Sequence, residues 1–278
     1  TMCWRSGLAL ILAASAASAD PLTYVRTIPR ASDLAGFGGL SAIEMRAPDT
    51  AIVLSDRGQA FQLTLDRAMT SAAIAPTDQP RPDRDSEGLA YAGDALFFSY
   101  EGPGQIVDQS GTALPSHPDF ASYHPNGSLE ALAAAKDGTL YTLPERSGDL
   151  ARPFPIYRYE DGTWDIVAQL PRTGPFLPAG ADIGPDGLLY ILERAFSPLG
   201  FRTRIRTVDP SDWAAPAQTV LKTRAGQHDN LEGLAIWQSD SGATCLSMVS
   251  DDNFLSVQRT EIVEYARTET LAPGKSCD

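Results

Sequence analysis

Histidine and cysteine are scarce in this chain of 278 residues, with three of each. Few imidazoles and thiolates disfavour a zinc centre, and neither late cysteine has the spacing of a metal or redox motif. Long apolar runs are missing as well. After residue 19 no stretch approaches the roughly 20 apolar residues that a membrane span requires. Positive charge is in short supply, with 22 Lys and Arg against 35 Asp and Glu and a net charge of −13. A phosphate backbone needs a positive field, so nucleic acid is excluded as a partner. Helical periodicity is nearly absent, since no window of about 12 residues sustains an i, i+3, i+4 apolar stripe. There is no G-x-S-x-G elbow to anchor a serine triad, and no P-loop or dinucleotide fingerprint.

What is present starts with an apparatus for export. Met2–Gly7 carries Arg5, Leu8–Ala17 is apolar, and Ser15–Ala19 supplies small residues for cleavage near Ala19/Asp20. This reads as a signal peptide over residues 1–19, followed by a single domain over 20–278 in a periplasmic or secreted protein. Its removal leaves 21 basic residues against 35 acidic ones. Cys245 and Cys277 survive cleavage, and an oxidising compartment favours a disulfide tying the C-terminal tail to a strand near Leu246–Val249. A monomer is expected.

The body of the chain repeats itself. DSEGLAYAGDALFFSY (85–100) is followed by Glu101, SLEALAAAKDGTLYTLP (128–144) by Glu145, and PAGADIGPDGLLYIL (178–192) by Glu193. NLEGLAIWQSDSGATCLSMVS (230–250) is followed by Asp251, and a weaker first copy, GGLSAI and AIVLS, leads to Asp56. The closing acids are 45, 44, 48 and 58 residues apart. Each unit is an apolar run, an Asp/Gly-rich turn and a second apolar run, which is a hairpin. Further runs at 60–65, 155–160, 164–170, 204–209 and 261–266 bring the count to about four strands per unit. Such units at such a period predict an all-β fold, a β-propeller of five to six four-stranded blades. The segment LTYVRTI (22–28) either pairs with the C-terminal strands to close the ring or is the remnant of a sixth blade.

In a hairpin, the start of the first strand and the end of the second lie at one rim. The opening column is Ser41, Glu87, Glu130, Ala179 and Glu232; the closing column is Asp56, Glu101, Glu145, Glu193 and Asp251. Ring closure then gathers up to eight carboxylates at one axial mouth. Asp182, three residues after Ala179, faces the other side of its strand. So many anions raise one another's pKa values or bind a cation, and oxygen ligands with few His and no suitable Cys favour Ca²⁺. Asp252 and Asn253 add oxygen ligands beside Asp251. Arg57, Arg146 and Arg194 each follow a closing acid, with Arg84 nearby, and arginine forks suit an anionic ester. They either hold substrate or neutralise their neighbours. His228, four residues before Glu232, is a candidate general acid.

GGLSAI, SEGLAY, ADIGPDGLLYILERAFSPLGFRTRIRTVD and NLEGLAIW with SDDNF and QRTEIVEYA resemble the phytase-like family known as "esterase-like activity of phytase", over roughly residues 33–267. The resemblance implies an exported β-propeller with phosphoesterase-type activity. Similar calcium-dependent propellers, gluconolactonase-like lactonases among them, place acidic ligands at the starts of inner strands, which corresponds here to Glu87, Glu130 and Glu232. The expectation is a Ca²⁺-dependent ester hydrolase with a metal-activated water and Glu232, Glu87 and His228 as catalytic groups. Alternatives are a lactonase, or a non-catalytic binding propeller with structural Ca²⁺.

Overall fold

The computed structural model of the chain describes residues 21–30, 34–77, 85–102, 104–271 and 276–277. The expected signal peptide and Arg84 lie outside the described residues. Strand β1 (Leu22–Arg30) precedes five antiparallel sheets. Blade 1 is β2 (Leu40–Ala47), β3 (Thr50–Ser55), β4 (Ala60–Asp66) and β5 (Ser71–Pro76). Blade 2 is β6 (Ser86–Ala92), β7 (Ala95–Tyr100) and β8 (Gln105–Asp108). It has three strands among the described residues, and a single bridge, Val107 to Ala113, stands where a fourth would begin. Blade 3 is β9 (Leu129–Ala134), β10 (Leu140–Pro144), β11 (Phe154–Glu160) and β12 (Thr163–Leu170). Blade 4 is β13 (Leu177–Ile183), β14 (Leu189–Ser197), β15 (Gly200–Val208) and β16 (Gln218–Lys222). Blade 5 is β17 (Asn230–Gln238), β18 (Thr244–Asp251) and β19 (Thr260–Arg267), and β1 is its outermost strand.

The inner strands β2, β6, β9, β13 and β17 each touch the next, and β17 returns to β2, so the sheets form a five-bladed propeller. The N-terminal strand pairs with β19 from Leu22–Arg267 to Arg30–Thr260 and closes the ring. There is no sixth blade among the described residues. One apolar layer lies between each pair of adjacent blades. Leu54, Leu89 and Phe98 join blades 1 and 2, and Phe120, Leu132 and Tyr157 join blades 2 and 3. Leu143 and Ile191 join blades 3 and 4, Leu192 and Met248 join 4 and 5, and Val53 and Val249 join 5 and 1. Burying both faces of each sheet explains why its central strands read as almost continuous apolar runs.

The Asp-Gly turns act as expected. Gly138 and Gly187 have φ of 95° and 79°, and the carboxylates of Asp137 and Asp186 accept from the amides of Thr139 and Leu188 at 3.0 and 3.2 Å. Cys245 and Cys277 are joined in a disulfide that holds the tail against β18. Among the described residues no helix is long and apolar enough to cross a membrane.

Candidate functional site

Each inner strand carries a β-bulge at the same place. The pairing skips Ser41 in β2, Glu87 in β6, Glu130 in β9, Ala179 in β13 and Glu232 in β17. These are the five members of the opening column. A bulge inserts one unpaired residue and re-aims its side chain, so the glutamates are turned out of the pleat towards the axis. The residue after the bulge is Gly or Ala because adjacent inner strands converge there. A Cβ on Gly233 would meet Ala42 Cα at 2.8 Å and Val249 at 2.7 Å, and one on Gly180 would collide with the Glu232 carbonyl. The recurrent motif Glu, small, Leu therefore has a separate cause at each position: mouth ligand, close approach, inter-blade core.

The closing column is slipped by one residue in blade 4. Asp56, Glu101, Glu145 and Asp251 follow the residues Ser55, Tyr100, Pro144 and Ser250. These pair with the strand just before the bulge. The equivalent of those four residues in blade 4 is Glu193, paired with Pro178, so the column position is Arg194. A shift of one residue reverses the face of a strand. Glu193, expected as a metal ligand, is instead fully buried and held by Arg204 (2.7 and 2.9 Å) and Arg206 (2.7 and 2.6 Å). With all its acceptor positions facing guanidinium groups, it is a structural anion.

Seven carboxylates thus surround the mouth: Asp56, Glu87, Glu101, Glu130, Glu145, Glu232 and Asp251. One oxygen from each of Glu87, Glu101 and Glu130 falls within 4.8 Å of the others. The Gly127 amide donates to Glu101 Oε1 at 2.6 Å and orients it. Arg194, expected to hold substrate, has its Nη1 at 3.0 Å from Glu232 Oε1 and its Nη2 at 3.2 Å from Glu145 Oε1. It also donates to Asn230 Oδ1 at 3.2 Å. Its Nε is buried without a partner. Asn230 in turn donates to Glu232 Oε1 (2.7 Å) and Asp251 Oδ2 (3.3 Å). Asn230 stands outside the repeated pattern of acids, and its signal in the sequence is its position two residues before Glu232.

Burial dominates the titration of these acids. Glu87 and Glu130 are pushed well above the usual carboxylate range by desolvation, reinforced at Glu87 by Glu232 and at Glu130 by Glu87. Glu101 and Asp56 are raised for the same first reason. Desolvation lifts Glu232 to about 7 against the pull of Arg194, and Asp251 to about 6.

Other expected residues sit elsewhere. His228 is packed against Tyr24 and hydrogen-bonded to Tyr265 Oη at 2.9 Å, with burial lowering it to about 4. It lies in the loop before β17, packed against the outer strands β1 and β19 of blade 5, and does not meet the mouth carboxylates. Asp252 accepts from the amides of Gly39 and Phe254 and from Thr260, which clamps blade 5 to blade 1. Arg57 lies 3.4 Å above the Phe254 ring, and Phe254 has a φ of 51°, a strained value for an aromatic residue. Arg146 is exposed, with Nε at 3.1 Å from Glu145 Oε2. Asp182 faces away from the mouth, accepting from the amides of Ile183 (2.7 Å) and, across the blade boundary, Ile236 (2.5 Å).

A family model described as "Phytase-like: Esterase-like activity of phytase" matches residues 35–254. The chain belongs to the phytase-like family. A search of curated proteins gives no match. Among solved structures, the α-L-arabinofuranosidase of Podospora anserina is 10% identical with a TM-score of 0.51, with 85% of this chain and 94% of that chain covered. A gluconolactonase of Xanthomonas campestris is 14% identical, with a TM-score of 0.44, 81% of this chain and 76% of that chain covered. The calcium-binding protein regucalcin of Agrobacterium tumefaciens is 9% identical, with a TM-score of 0.46, 82% and 90% covered. At these identities the likeness is one of fold.

Proposed function

We propose that the protein is an exported, Ca²⁺-dependent ester hydrolase acting on small anionic esters, phosphoesters foremost, at the axial mouth. The observation that carries this reading is the convergence of Glu87, Glu101 and Glu130 within 4.8 Å of one another in a half-buried recess. Oxygen atoms bound to Ca²⁺ at 2.3–2.6 Å are separated by no more than about 5 Å, so the donor set fits the ion in type and spacing. Glu232 and Asp251 complete the acidic wall. A bound divalent cation would polarise the ester oxygen and acidify a water molecule. Glu232, lifted to about 7 by burial, would take up and return a proton, with Arg194 and Asn230 holding its carboxylate. Arg57 and Arg146, at the rim, add positive charge for an anionic substrate. The disulfide is consistent with export to an oxidising compartment.

The test is turnover of a panel of phosphate, carboxylate and lactone esters with Ca²⁺ and with EDTA. Hydrolysis that EDTA removes and Ca²⁺ restores is expected. Glu232→Gln should weaken Ca²⁺ binding and lower kcat by at least about 10²-fold, the scale of a positioned acid–base group. Unchanged turnover in that variant removes the mechanism. A Ca²⁺-stabilised chain inert towards the whole panel would make it a binding propeller.

A further inference from the structure

Beside the acidic mouth, the segment before β9, the loop between β10 and β11 and the connection from β12 to β13 line a half-open pocket of about 510 Å³ whose charge is of the opposite sign. Arg146, Arg152 and Arg172 line it, together with Tyr123, His124 and Leu177. Asp149 is the one carboxylate in its wall, and its Oδ1 accepts from the Ala151 amide. Three arginines against one aspartate is unusual in a chain of net charge −13.

The guanidinium groups are under-used. Arg152 donates to the Ser147 carbonyl at 3.3 Å, and Arg172 to the Asp149 carbonyl at 3.4 Å. Neither meets a carboxylate among the described residues. Arg146 engages Glu145 through Nε, which leaves its two terminal nitrogens for a ligand. Arg194, Glu145 and Arg146 form a chain of ion pairs at 3.2 and 3.1 Å running from the axis to the pocket. Leu177, in the pocket wall, pairs across the strand with Arg194.

We propose that this pocket binds an anionic oxygen group, phosphate or carboxylate, held by Arg146, Arg152 and Arg172. The substrate class, which rests on the ester-hydrolase reading, is then an ester with a second anionic group remote from the bond that is cleaved. Three guanidinium forks recognise such a group through charge-assisted, bidentate hydrogen bonds.

The pocket can be tested without turnover and without a cation. Inorganic phosphate and succinate are titrated calorimetrically into the full chain in EDTA at pH 7, where the metal-free mouth repels anions. Saturable binding is expected, weakened at least about tenfold in the Arg152→Gln/Arg172→Gln double variant, the scale of lost hydrogen bonds to charged groups. Tighter binding of phosphate assigns a phosphorylated group, and tighter binding of succinate a carboxylate. The Arg152→Lys/Arg172→Lys variant, which keeps the charge, should retain more binding than the Gln variant. Absence of saturable binding, or equal binding by wild type and the Gln variant, overturns the proposal. So does an equal loss in the Lys and Gln variants. Because no step of hydrolysis is read, an inactive chain can still bind and an active one can still fail to.

Discussion

Among single residues, Glu232 carries the most information. Burial lifts its carboxylate to about 7 when folded, from an ordinary value of 4.5. Between those values the folded chain binds more protons than the unfolded one. Stability of the metal-free protein therefore falls as pH rises through that window and returns as it falls. At about 1.4 kcal/mol per unit, the contribution is on the order of 3 kcal/mol. His228 acts in the opposite sense, because burial lowers it to about 4 and the unfolded chain then binds more protons up to about 6.5. The difference between wild type and Glu232→Gln cancels His228. In EDTA, the melting temperature of wild type should fall more steeply from pH 5 to 7.5 than that of the variant, and Ca²⁺ should flatten the wild-type slope. Parallel slopes in EDTA would contradict the assigned cause.

Among the elements, the bulged inner strand is the unit that makes the site. A regular strand would alternate its side chains between two blade interfaces and leave none for the axis. The bulge supplies the exception five times, and three of the five, Glu87, Glu130 and Glu232, are legible as the start of an EGLA-like motif. The following small residue is needed because two inner strands approach there. Gly233→Ala would place a methyl group against the backbone of Ala42 at 2.8 Å, where no flexible side chain can yield. A loss of about 1–3 kcal/mol is expected, as for other overpacked sites. Urea unfolding measures it; an unchanged midpoint would mean that the strands can separate at no cost. The weak element is the closing end of blade 4. There the run LLYILER carries one residue fewer before its acid than the pairing of the other copies, so spacing along the sequence puts Glu193 where Arg194 stands.

For the whole molecule, closure is the decisive property. Strand β1 places Leu22 in the layer between blades 4 and 5 and Ile28 in the layer between blades 5 and 1. Its pairing also covers the edge of β19. Deletion of residues 1–30 should remove about 3–6 kcal/mol from these two side chains alone, at about 1.5–3 kcal/mol each. It should also expose a sheet edge that promotes association. Chemical unfolding and light scattering read the two effects, and a truncated chain that stays monodisperse with an unchanged midpoint would show that the ring closes without β1.

Chain order alone carries the all-β class, the hairpins, the blade period and the opening column, because each rests on short-range alternation and on turn residues. The disulfide partners are legible too, since Cys245 and Cys277 are the two cysteines beyond residue 19. Packing in three dimensions was needed to separate the acids. Glu193 and Glu232 are alike in the sequence, but one is enclosed by Arg204 and Arg206 and the other faces the axis. That outcome depends on strand register and on residues brought from other strands, and neither is encoded in local spacing. The arginine pocket is of the same kind: Arg146 and Arg152 lie in the loop between β10 and β11 and Arg172 in the connection from β12 to β13, and only the folding of blade 3 brings the two segments together.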